Sequence, residues 1–210
     1  MLNIIERTIT RTMLATMLVG ASLLATPASA DEAAEAFVQT VLDEAEPILE
    51  VEDQVAFFDG IEGLVDNYVN MRRVGFFVLG QYARQMSDAQ KEEYFPLFEE
   101  YATRIYQNTL SNYAGQKLVV TNSTDRSERD IIVNSEIADP EPGDPLADTV
   151  FHWRVYRSND GEMSIFDAGA NGVWLAIEQQ SQFKSVIANN GGGEAGIQVL
   201  IDQLREQVSG

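Results

Sequence analysis

His152, Arg154 and Asp167 are the residues of this chain whose types and spacing could support acid–base chemistry. His152 and Arg154 lie in the β-branched and aromatic run TVFHWRVYR, and Asp167 lies in the run MSIFDAGA. Asn159-Asp160-Gly161 between them is a hairpin turn signal. An even-length loop centred on Asp160-Gly161 pairs odd positions of the first strand with even positions of the second, so Asp167 can sit opposite either His152 or Arg154. A His–Asp pair in an enclosed site could exchange protons with a substrate. On a solvent face the same residues form a cross-strand ion pair worth a few tenths to about 1 kcal/mol. The register favours the second reading. It gathers Phe151, Trp153, Val155, Phe166 and Ala168 on an apolar face that should look toward helices. His152, Arg154, Tyr156, Ile165 and Asp167 are left on a polar face.

Other chemistry finds little support. The chain has no cysteine and one histidine, which excludes thiol chemistry and disulfides and weakens any structural zinc site. Its carboxylates show no metal-ligand spacing such as the calcium-loop pattern. Gly191-Gly192-Gly193 follows no strand and precedes no Gly-Lys-Ser/Thr, so it reads as a break between helices and not as a phosphate loop. No catalytic residue and no cofactor is expected.

The elements that must position these residues fall into three zones. Helical periodicity runs from Ala33 to Gln116, with helices over about 33–45 (ending near Pro47), 53–67, 72–84 and 87–113. The last carries a capping-box pair, Ser87 and Gln90, and a ring-rich stripe of Tyr94, Phe98, Tyr101, Tyr106 and Tyr113 with Leu97 and Ile105. Pro96 inside it should kink or loosen it. The period then changes to that of short strands, LVVTN, DIIVNSEI, TVFHWRVYR and MSIFDAGA, divided by the acidic loop DPEPGDP and the hairpin turn. Helices return over 173–188 and 194–207. Strands grouped between helical zones predict an α+β fold, with helices on one face of a four-stranded antiparallel twisted sheet. Rings supplied by so many elements make either a filled core or a lined cavity.

The first thirty residues read as a secretory signal peptide. Arg7 and Arg11 open it, Met13 to Ala25 is its apolar stretch, and Ala28-Ser29-Ala30 is the cleavage site. Cleavage after Ala30 leaves residues 31–210 as a single exported domain. The whole chain carries −19; Arg7 and Arg11 against Glu6 give the leader a net +1, so the remainder carries −20. Such a surface excludes nucleic acid as a partner and disfavours lasting adsorption to anionic lipid.

Three stretches carry a resemblance to a known family: VLGQYARQMSDAQKEEYFPLFEEYATRIYQNTLSNYAGQ, GEMSIFDAGANGVW and SQFKSVIANNGGGEAGIQVLIDQL. Their order and spacing resemble the MlaC-type periplasmic phospholipid-binding proteins, auxiliary components of toluene-tolerance-type ABC transport systems, over about Ala33 to Gln207. The resemblance implies an NTF2-like cone with a lipid cavity and no enzymatic activity. It implies a monomeric periplasmic carrier whose cargo is phospholipid, with acyl chains in an apolar pocket and the headgroup in solvent. The implied partners are an outer-membrane lipoprotein–porin complex and an inner-membrane complex of an MCE protein with its ABC transporter. Matched by position, the lipid-binding residues would include Leu79, Tyr82, Phe98, Tyr101, Ile105 and Val173. Phe151, Trp153 and Phe166 join them from the register argument. Where the family more often has Glu-Gly-Val-Ser this chain has Asn171-Gly172-Val173-Trp174, so Trp174 would narrow the pocket mouth or form part of its wall. Gln179-Gln180 replaces the family's Tyr-Arg. The remaining alternatives are an NTF2-like enzyme using Asp167 and His152 as its acid–base pair, and a ligand-free periplasmic interaction module with a solid core.

Overall fold

The structure, a computed structural model, describes residues 30–111 and 116–209; the proposed leader and Tyr113 lie outside the described residues. Four helices come first: α1 (Glu32–Leu49), α2 (Gln54–Tyr68), α3 (Met71–Leu79) and, after a 3-10 turn over Gly80–Gln85, α4 (Asp88–Leu110). Strands β1 (Leu118–Ser127), β2 (Asp130–Ile137), β3 (Phe151–Arg157), β4 (Met163–Ala170) and β5 (Val173–Trp174) follow. Helices α5 (Leu175–Asn189) and α6 (Gly193–Ser209) close the chain. The strands form one antiparallel sheet in the order β1-β2-β3-β4-β5. The α+β expectation holds, but the sheet has five strands where four were expected.

The helix starts are capped as their residue types dictate. Asp31, Asp53 and Asn70 each accept a backbone N–H three residues on, and Ser87 with Gln90 completes the reciprocal capping box of α4. Asp31 does more than cap α1. Its carboxylate takes the Arg157 guanidinium at 2.6 Å, tying the helix start to the end of β3. Burial opposes ionisation of Asp31, but the Arg157 hydrogen bond and the N–H groups of the first turn outweigh it and hold the carboxyl below its ordinary value. Asp31→Ala is therefore expected to cost about 1–2 kcal/mol at pH 7 in denaturant titration. A depressed carboxylate pKa gives stability that is present above the unfolded value and lost as pH falls through the folded one. The difference from wild type should thus shrink below about pH 4.

Neither helical proline ends its helix. Pro47 falls in the last turn of α1, which continues to Leu49. Pro96 lies on the exposed side of α4, where the Glu92 carbonyl it leaves unbonded can face solvent. The opposite side of α4 buries Gln90, Tyr94, Phe98 and Ala102, a stripe at four-residue spacing. The Tyr94 hydroxyl donates to the Gly75 carbonyl at 3.0 Å, and its ring stacks on Phe98 at 5.5 Å. This stripe, with α3, α5 and α6, makes the main core. A second cluster joins Ala34, Val38 and Leu42 of α1 to Ile131, Val133 and Val155 of the sheet.

Gly196 lets α6 approach the end of α5. A Cβ there would stand 2.3 Å from the Ile187 carbonyl oxygen, a backbone atom that cannot swing aside. Gly196→Ala is expected to destabilise the protein by roughly 2 kcal/mol or more, read as a lowered melting temperature.

The β3–β4 hairpin departs from the simple register twice. Its loop, Ser158 to Glu162, has an odd length, so Arg157 faces Met163 and Val155 faces Ile165. A bulge at Phe166 then restores the expected parity: Arg154 faces Asp167, and Trp153 faces Ala168. The two departures cancel over the inner half of the hairpin. Ile165 is accordingly buried and not on a polar face. Its carbonyl accepts the Asn70 N–H at 3.0 Å, which fastens the α2–α3 junction to β4 beside the bulge.

β5 arises from Asn171-Gly172. Both residues have positive φ, 52° and 81°, and Ala170 pairs directly with Val173. This is the geometry of a two-residue type I′ hairpin, for which Asn-Gly is the favoured sequence. The helix expected from Val173 therefore begins two residues later, at Leu175.

Candidate functional site

An apolar cavity of about 1080 Å³, counting the space at its open side, lies between α1, α2, the end of α4 and the inner part of the β3–β4 hairpin. Leu42 and Leu49 line it from α1, Ile61 and Leu64 from α2, Tyr106 and Leu110 from α4. Phe151 and Trp153 of β3 and Phe166, Asp167 and Ala168 of β4 form the sheet wall. A second cavity of about 750 Å³ opens between α3, α4 and the start of α5, with Phe98, Tyr101 and Ile105 on one side and Glu178, Gln179 and Gln182 on the other. Tyr106 and Leu175 line both. They are the partition between the two compartments, whose enclosed space is about 220 Å³ in the first and about 270 Å³ in the second.

The structure thus brings six of the ten expected lipid-binding residues to a cavity wall: Phe98, Tyr101 and Ile105 at one, Phe151, Trp153 and Phe166 at the other. The remaining four lie elsewhere. Leu79 is fully enclosed in the main core, and Tyr82 packs against that core from the 3-10 turn. Val173 is 55% exposed on β5. Trp174 stacks on the His152 ring at 5.6 Å, outside both cavities. The shift of Val173 and Trp174 follows from β5, which places them on the sheet edge instead of in a helix. Tyr106 and Leu175, not singled out from the sequence as ligand contacts, hold the central position. The helical spacing of Tyr106 from Phe98, eight residues, was the available signal for it.

Asp167 occupies a different environment from the polar face expected of it. It is 2% exposed, because the Phe166 bulge and the start of α5 enclose it. One carboxylate oxygen, Oδ1, accepts the Ala176 N–H at 2.8 Å. Helix α5 has no cap from its own N-cap residue, Trp174, so Asp167 supplies that cap from the neighbouring strand. The other oxygen, Oδ2, is buried and has no hydrogen-bond partner among the described residues. Among the residues lining the larger cavity it belongs to the one charged side chain. Burial dominates its titration and pushes the carboxyl up to about 6, against the backbone N–H groups of Ala176 and Ala168 and the Arg154 charge. Burial, helped by the Asp167 charge, likewise pushes the Tyr106 hydroxyl up to about 12.

Arg154 faces Asp167 in register but does not bond it. Its guanidinium makes a two-point ion pair with Asp130, at 2.9 Å and 2.7 Å, and lies 4.4 Å from the Phe166 ring centre. That pair, acting against burial, holds Asp130 below the ordinary carboxylate range. His152 places Nδ1 2.7 Å from Asn134 Oδ1. The sheet therefore does not join His152 and Asp167 into a hydrogen-bonded acid–base pair, nor Asp167 and Arg154 into the expected ion pair. Among the described residues there is also no cluster of three or more metal-ligating side chains. No described helix is long and apolar enough to cross a membrane. What this arrangement can do is enclose hydrocarbon.

Comparison with known proteins agrees with that geometry. The family model described as MlaC protein matches residues 25–206. The intermembrane phospholipid transport system binding protein MlaC of Haemophilus influenzae is 25% identical over 143 residues, a stretch covering 68% of this chain. This chain spans 64% of that relative's length. A solved phospholipid-binding protein from Ralstonia solanacearum, in complex with a phospholipid, superposes with a TM-score of 0.65. It shares 22% identity, covers 84% of this chain, is itself covered to 99%, and establishes likeness of fold. Matched by its family model over most of its length, and built around apolar compartments between helices and sheet, this chain belongs to the MlaC family.

Proposed function

We propose that this chain is a soluble periplasmic phospholipid carrier with no catalytic role. It shuttles lipid between an outer-membrane lipoprotein–porin complex and an inner-membrane MCE protein–ABC transporter complex. The signal peptide is removed after Ala30, residues 31–210 act as one lipid-binding domain, and the domain works as a monomer. The observation that carries this reading is the apolar cavity walled by Phe151, Trp153, Phe166 and Ala168. Acyl chains occupy it while the headgroup stays in solvent. Phe98, Tyr101 and Ile105 offer a second apolar wall across the partition.

The energetics suit a shuttle. Exposing acyl chains to water costs about 0.8 kcal/mol per methylene, so free phospholipid cannot cross an aqueous gap at a useful rate. Exchange between bilayer and cavity replaces one apolar surrounding by another, and the net change can be small. The acidic surface, −19 over the whole chain, would keep the carrier from resting on anionic membranes. The test is transfer of labelled phospholipid from donor to acceptor vesicles separated by a membrane permeable to protein. Transfer should rise with the concentration of this chain. Transfer no faster than with an unrelated acidic protein would exclude the carrier role.

A further inference from the structure

Helix α5 turns a polar face to the second cavity. Leu175, Glu178, Gln179 and Gln182 follow one another at helical spacing, and all four line it. A helix face set against an apolar wall ordinarily carries apolar residues, and α4 presents such a wall with Phe98 and Ile105. On α5, Leu175 stands at the partition, and Glu178 and Gln182 come after it as solvent-exposed polar side chains. The cavity is therefore apolar on its α4 side and polar where α5 meets water. A lipid presents the same change of polarity where its chains join its headgroup.

The groups at this mouth set which headgroup suits it. Among the described residues, no lysine or arginine lines either cavity. Tyr101 donates its O–H to Gln179 Oε1 at 3.2 Å, which leaves the Glu178 carboxylate and the Gln182 amide to meet a headgroup. An amide N–H can donate to a phosphate oxygen, whereas a carboxylate only accepts hydrogen bonds. An ammonium at the end of the headgroup therefore complements Glu178. A headgroup whose sole charge is its phosphate brings like charge against that carboxylate, on a chain that already carries −19. Because Glu178 is exposed, water screens the pairing and holds its effect to a few-fold in affinity.

We propose that the mouth between α4 and α5 is the headgroup end of the cargo site. There Glu178, with Gln182 beside it, makes the carrier favour phospholipids whose headgroup ends in an ammonium over those with a net negative headgroup. The proposal rests on the carrier reading and adds to it the place of the headgroup and the class preferred. The headgroup stays in solvent, since both side chains that meet it are exposed. Asp167, enclosed at the first cavity, takes no part.

The experiment compares chain-matched phosphatidylethanolamine and phosphatidylglycerol, each delivered from the same non-ionic detergent and displacing a fluorescent lipid from the full chain at pH 7.5 and low salt. Phosphatidylethanolamine should bind about threefold more tightly. Glu178→Gln should bring the ratio toward parity, and Glu178→Lys should invert it. Glu162 stands in the β3–β4 loop, at the opposite end of β4 from α5. Glu162→Lys makes the same change in net charge there and should keep the wild-type ratio. Because the readout is a ratio within one preparation, partial unfolding of a variant does not alter it. A wild-type ratio within 1.5-fold of unity overturns the headgroup site and leaves the carrier reading standing. Full retention of the preference in Glu178→Lys, or an equal loss in Glu162→Lys, does the same. Failure of both lipids to bind counts against the carrier reading itself.

Discussion

Replacing Ala168 by tryptophan is expected to empty the protein of lipid while leaving it folded. Ala168 lies on the sheet wall of the larger cavity, opposite Trp153 in register. An indole there would occupy room otherwise filled by acyl chain. Excluding about four methylenes removes about 3 kcal/mol of binding, roughly a hundredfold in affinity. Ala45→Trp fills the same space from α1, the facing wall. Overpacking can also destabilise, typically by 1–3 kcal/mol, so both variants are to be checked by circular dichroism and thermal melting. If each melts within a few degrees of wild type yet keeps wild-type lipid, the larger cavity is not where the chains lie.

Asp167→Asn should do what few substitutions of a buried residue do and raise stability at neutral pH. Burial lifts the Asp167 carboxyl from an ordinary 3.8 to about 6. The folded chain therefore holds this proton more tightly than the unfolded chain does. The sign is opposite to that for Asp31. Below about pH 4 both states are protonated and Asp167 costs nothing; the penalty grows between about pH 4 and 6 and is complete above. Its full size is roughly 3 kcal/mol. Asparagine cannot ionise and keeps an oxygen for the Ala176 N–H, so it should recover roughly 1–3 kcal/mol, or about 3–8 °C in melting temperature, at pH 8. Of its charged and titratable neighbours, Arg154 is bonded to Asp130, and Tyr106, its hydroxyl pushed up to about 12, stays protonated over this range. The check is melting of lipid-extracted wild type and variant at pH 4 and pH 8. A gain at pH 8 that vanishes at pH 4 is expected, and an equal difference at both would remove the charge as its cause.

What could be read from the sequence was what depends on neighbours along the chain. Ser87 and Gln90 announced the α4 cap, and the four-residue spacing of Tyr94 and Phe98 announced its buried stripe, because helical geometry fixes both. That Asp167 would sit opposite His152 or Arg154 was legible too, though the pairing with Arg154 arises only because the odd loop and the Phe166 bulge cancel. Asn171-Gly172 is a favoured hairpin pair and makes β5, although it was not read as a turn from the sequence. Taking the chain beyond it as helix placed Val173 and Trp174 wrongly.

Asp167 shows what could not be read. Its place in a strand was plain, but its burial depends on where α5 begins and on which partner Arg154 takes, and both are settled by packing between distant segments. Leu79 teaches the same lesson in reverse. The family resemblance put it at the pocket, whereas the turn at Gly80, with a φ of 55°, tucks it into solid core. Likewise, nothing local separates a ring that fills a core, such as Tyr94, from one that faces a cavity, such as Tyr106.

The central claim is that the space between helices and sheet holds phospholipid, and one measurement addresses it most directly. The chain is purified from the periplasm of its expression host, extracted with organic solvent, and the extract is analysed by mass spectrometry. Co-purified phospholipid near one molecule per chain, much reduced in Ala168→Trp, is the predicted result. Repeated preparations without lipid, which also fail to take up added phospholipid, would contradict it.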